Sequence, residues 1–166
     1  MLEALLYTTI WLSVAAWAAT DVLNRVMRRD EAARLVWTAG AVLLAIHIAI
    51  AFHTRHAWSH DAAYVTTARQ SEALTGVAAG WGLYLNYLLL VVWLADAAWW
   101  WLRPSAYVRR NRTVEAAVFS FFLFMMVNGA IVFAVTPMRW FGVVCVAAVL
   151  AARAFGNSRA LAASRN

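Results

Sequence analysis

Uncharged, largely apolar residues fall into five runs: Ala4–Thr20, Leu35–Phe52, Val77–Ala95 resuming beyond Asp96 to Leu102, Ala116–Val135 and Trp140–Ala152. A helix rises ~1.5 Å per residue and the hydrocarbon layer is ~30 Å thick, so about 20 apolar residues make one crossing. The first four runs meet or approach that length. The fifth is short, and it crosses only if Arg153 extends its methylenes toward the headgroups so that the segment Trp140–Phe155 can span. Only Thr136-Pro137-Met138-Arg139 separates runs four and five. Proline stops a helix there and leaves room for a tight hairpin. The pattern predicts an all-α polytopic bundle of five spans, with four spans plus an interfacial helix as the alternative.

The segment between the second and third runs is different. From Ser59 to Gly76 it holds no proline and much alanine, with Ser59 placed to cap a helix at its start and Gly76 at its end. A short surface helix is expected there, lying over one end of the bundle as a lid. No repeat or second domain interrupts the pattern. Residues 1–155 read as one transmembrane domain and 156–166 as a flexible cytoplasmic tail, since Gly156-Asn157-Ser158 opens a small, polar stretch.

Composition narrows the class. Hydrophobic residues make up 64% of the 166 residues and charged residues 13%, against about 45–50% and about 25% in ordinary soluble domains. A globule in water could not hide that much apolar surface. Disordered chains are excluded, and the single cysteine, Cys145, excludes a disulfide scaffold. All 14 positive charges are arginine and the net charge is +6. Arg25, Arg28, Arg29 and Arg34 follow run one; Arg103, Arg109, Arg110 and Arg112 follow run three; Arg153, Arg159 and Arg165 follow run five. Only Arg55, Arg69 and Arg139 fall on the opposite side. The positive-inside rule makes the crowded side cytoplasmic, with the amino terminus and the Ser59–Gly76 segment outside and the carboxyl terminus inside. The charge is thus a topogenic feature, with the lipid bilayer and other membrane subunits as partners and no nucleic acid. Run one carries Glu3 before it and arginines after it, the reverse of a secretory signal, and reads as a retained anchor. Absence of lysine and abundance of alanine, arginine, valine and tryptophan suggest a GC-rich bacterial genome, which with the spans makes a bacterial inner membrane the expected location.

All four histidines, His47, His53, His56 and His60, lie within one stretch. If the second helix continued past its apolar run, His53, His56 and His60 would stand at i, i+3 and i+7, within about 60° of one another. Such a stripe offers imidazoles to a transition-metal ion, with Asp61 and Glu72 near as oxygen donors. The competing reading places these rings in the headgroup zone beside Trp58, with no ligand. His47 sits among Ala45, Ile46, Ile48 and Ala49, where a polar ring needs a partner, and intramembrane ionisable residues are functional candidates by default. It is the candidate cofactor-binding residue, as a haem axial ligand or proton carrier. Metal ranks ahead of haem in this reading, because no second helix supplies an imidazole.

Asp21 and Asp96 lie at the arginine-rich depth and are expected to pair with Arg25, Arg103 or Arg109. Asn86 and Asn128 lie nearer mid-span and are expected to hydrogen-bond across helices. No Walker loop, nucleophile elbow, CxxC or HExxH occurs. Three functions follow in order: a histidine-rich extracytoplasmic metal or haem site serving redox or electron transfer in a larger complex; a noncatalytic assembly subunit; and a transporter or proton path from His47 past the two asparagines to Asp96 and Asp21.

Overall fold

The computed structural model describes residues 1–163, and those residues form helices joined by turns, with no strand among them. Helix α1 spans Leu2–Arg25, α2 Asp30–Arg55, α3 His60–Thr75, α4 Gly82–Leu102, α5 Pro104–Val108, α6 Arg112–Val127 and α7 Met138–Ala163. A π-helical turn, Asn128–Val132, extends α6. Five helices are long and apolar enough to cross a membrane, the last over Met138–Arg159. The chain is therefore an all-α, multi-pass membrane bundle with five helices fit to span, as expected. Side chains such as Leu12, Leu35, Val42, Val91, Phe124 and Val144 are exposed on the outside of the bundle, where acyl chains replace water as solvent.

Each spanning helix packs on two others, in the order α1, α2, α4, α6, α7 and back to α1, which closes a ring. The widest of these contacts joins α1 and α2. It is close because Gly40 leaves no side chain: a Cβ there would stand 2.6 Å from Trp93 Cζ2 and 3.0 Å from Ala16 Cβ. Ser13 Oγ donates to the Gly40 carbonyl at 3.0 Å across the same contact. Small residues that let backbones approach are the usual means of helix association in lipid, where apolar burial gives little drive.

At the centre of the ring Trp37, Trp93 and Phe122 meet with centroids 4.9 to 5.1 Å apart. Trp93 is wholly buried and its Nε1 donates to the Trp37 carbonyl at 3.1 Å. This aromatic plug divides the bundle into an end where most of the arginines gather and an end that carries the histidines.

One expectation is corrected. Arg153 does not snorkel outward: its guanidinium turns into the bundle and donates to Asp21 at 2.8 Å. Its charge is met there, so α7 continues past it. The segment from Gly156 to Ala163, the described part of the expected tail, is helical; Arg165 and its two neighbours lie outside the described residues.

Candidate functional site

The arginine end is a network of ion pairs around a small cavity of about 90 Å³. Asp21 accepts from Arg25 at 3.1 Å and from Arg153 at 2.8 Å, and Glu115 on α6 pairs with Arg25 as well. These contacts tie α1, α6 and α7 together. Asp96, 6% exposed, accepts from the Tyr107 hydroxyl at 2.8 Å and from Arg110 at 3.3 Å. Asp21 thus takes its expected partner Arg25, whereas Asp96 is met by Arg110 and not by Arg103 or Arg109. The reason is α5, the short helix begun by Pro104, which folds Tyr107 back under α4 and stacks it on Trp100 at 4.7 Å. Burial first, then the Asp96 charge, pushes the Tyr107 phenol up, so it remains a donor.

The histidine end holds the larger space. A cavity of about 610 Å³ lies on the ring axis, walled by all five spanning helices and roofed by α3. Its floor and walls are apolar, with Leu44, Leu89, Met125 and Met126 above the plug and Met138 beside them. His47 opens into it from α2. Its Nδ1 stands 2.9 Å from the Leu6 carbonyl oxygen. A carbonyl can only accept, so Nδ1 carries the proton and the lone pair of the neutral ring lies on Nε2. This is the arrangement in which ligating histidines are commonly held, with the distal N–H fixed by a backbone carbonyl.

The other histidines are scattered by a break in the helix. Helix α2 ends at Arg55, and the chain reverses through two consecutive left-handed residues, Ala57 at φ 46° and Trp58 at φ 59°. Ser59 then caps α3, its hydroxyl accepting from Ala62 N at 3.2 Å, and Gly76 closes that helix at φ 75°, both as expected. The imagined stripe therefore does not exist as one helical face. His53 is exposed beside the Trp58 ring, 6.5 Å from it. His56 turns to the cavity, and its Nδ1 is buried without a hydrogen-bond partner. His60 opens α3 and stands between the hydroxyls of Tyr87, 3.2 Å from Nδ1, and Tyr84, 3.4 Å from Nε2. The structure does not bring His53, His56 and His60 to one point, and among the described residues no three His, Cys, Asp or Glu side chains stand together as a metal site.

The lid is seated on the turn that leads into α4, at Gly80, where a Cβ would fall on the Tyr64 ring. From it Thr66, Thr67 and Gln70 face down into the cavity. Asn86 also lines it, whereas Asn128 donates to Phe124 O of its own helix at 2.8 Å, so neither bridges helices as expected. The sequence reading passed over Arg55, Gln70 and the three methionines. Arg55 was legible: it stands eight residues from His47, on the same side of a helix within about 80°. The methionines carried no such mark, since nothing in sequence separates a cavity wall from a lipid face. No family model, no curated protein and no solved structure matches this chain.

Proposed function

We propose that this chain is a small protein of the bacterial cytoplasmic membrane that holds one lipid-soluble redox cofactor, haem, in the cavity at the histidine end. His47 would hold the iron through Nε2, and the protein would serve electron transfer within a larger membrane assembly. One observation carries the reading: a lone intramembrane imidazole, its Nδ1 proton given to Leu6 O and its Nε2 left with a lone pair, on a ring that lines a cavity of about 610 Å³. That volume lies within the ~300–1,000 Å³ usual for cofactor pockets. A porphyrin needs flat apolar walls and one or two axial bases, and Met125, Met126 and Met138 add thioethers to the same wall. His47 and His56 cannot both bind one iron, since nine residues of helix separate them by ~13 Å. When bound, haem supplies one-electron chemistry. The chain's part is to orient the ligand nitrogen, exclude water with the plug and lid, and set the polarity around the metal.

This reading replaces a free metal ion on His53, His56 and His60, because those rings are separated. It is favoured over a proton path along the axis, because the plug of Trp37, Trp93 and Phe122 stands between the two polar ends. The arginine distribution supports an orientation with the lid outside and the arginine network inside. The test is the visible spectrum and metal content of the detergent-purified protein from cells supplied with a haem precursor. A Soret band with stoichiometric iron is expected. A protein with neither, which also fails to take up haem afterwards, overturns the proposal.

A further inference from the structure

Among the described residues, the one fixed charge in the cavity lining lies toward the lid. The lining near the lid includes Arg55 and His56 from the end of α2 and Gln70 from α3. Each has hydrogen-bonding capacity to give. His56 Nδ1 is buried and unpartnered. Gln70 makes no side-chain hydrogen bond among the described residues. Arg55 is held at 2.8 Å by Glu3, but that pair is exposed on both sides, and exposed ion pairs exchange readily for better partners. No Asp or Glu lines this cavity, so Arg55 is its one fixed charge among the described residues. Toward the plug the lining turns to Leu44, Leu89, Met125 and Met126.

A space with an imidazole deep within it, apolar walls and a cation with two free polar groups near the lid complements an amphiphile with an anionic end. We infer that Arg55, His56 and Gln70 form a clamp for the carboxylates of the bound porphyrin, which enters ring-first with its acid groups left at the lid. The inference rests on the proposed haem reading for the identity of the ligand, but the clamp stands on different residues from the axial site. A planar guanidinium takes a carboxylate through two parallel N–H donors, and His56 Nδ1 adds a third when it carries the proton. Gln70 adds a donor from the lid, so the ligand itself would fasten the lid shut.

Binding of metal-free protoporphyrin and of its dimethyl ester, read by quenching of tryptophan fluorescence, tests the clamp without iron ligation. The diacid should bind the full-length protein about tenfold or more tighter than the diester, the scale of a lost charge-assisted contact. Arg55→Gln and His56→Phe should each erase most of that preference, the diacid losing far more affinity than the diester. Iron haem, added separately, should give a shifted Soret band that depends on His47. Equal binding of diacid and diester, or a preference that survives Arg55→Gln, overturns the clamp and leaves the axial site standing if the Soret shift persists. A strong diacid preference without any Soret shift keeps the clamp and overturns His47 as ligand. A protein that binds no porphyrin overturns both.

Discussion

Ala57 and Trp58 decide where the histidines go. A left-handed conformation costs a residue with a Cβ about 1–2 kcal/mol, and glycine or asparagine normally marks such a turn. Here neither does, and the sequence His56-Ala57-Trp58-Ser59 reads as helix until Ser59. That is why the histidine stripe looked continuous. What holds the turn is tertiary: Trp58 N donates to Phe52 O at 3.0 Å, and the Trp58 ring lies against Phe52 at 6.2 Å. Ala57→Gly relieves the strain without touching those contacts. It should raise stability by about 0.5–1 kcal/mol, after the entropy that glycine adds to the unfolded chain is deducted. Ala57→Pro, whose ring forbids positive φ, should lower the melting temperature sharply. Thermal denaturation in detergent measures both, and a stabilised proline variant would show that the turn is not left-handed. By contrast, His47 was legible as a residue that needs an explanation, because a polar ring in an apolar run has few cheap fates. Its partner, a backbone carbonyl on α1, was not legible, because backbone acceptors have no sequence signature.

The spans were legible as elements. Length and apolarity marked four of them and left the fifth marginal, and the lid helix was marked at both ends by Ser59 and Gly76. Their contacts were not, since a helix packed on protein and one bathed in lipid have the same composition. Gly40 shows the consequence. It reads as an unremarkable glycine in an apolar run, yet it sets the α1–α2–α4 crossing. Trp93 cannot swing away from an added Cβ at 2.6 Å, because it is wholly buried and tied to Trp37 O. Gly40→Val should therefore destabilise by about 1–3 kcal/mol through overpacking, while Gly129→Ala, which meets nothing within 4 Å, should change little. Comparing the two melting temperatures checks whether the crossing is as close as described. The fifth span shows the same limit from the other side. Arg153 looked like a terminus because its partner Asp21 is 132 residues away, on a helix that the chain meets only when the ring closes.

At the scale of the whole molecule, the closed ring with an aromatic plug makes two ends of opposite character, an arginine network and a histidine-lined cavity. The orientation argued from the arginines predicts that a cysteine at Arg69, exposed on the lid, is labelled in intact cells stripped of their outer membrane by a reagent that cannot cross the inner one. Buried Cys145 would be replaced beforehand. A cysteine at Arg109, beyond α5, should react only after permeabilisation. The reverse pattern would invert the molecule and put the cavity on the cytoplasmic side. The central claim, that His47 presents its Nε2 to a haem in that cavity, is tested most directly by titrating the detergent-purified protein and its His47→Ala variant with haem. The account predicts a shifted Soret band that saturates at one haem per chain in the parent and is lost in a folded variant, with exogenous imidazole restoring it. An identical titration for both proteins, or no saturable band in either, would contradict it.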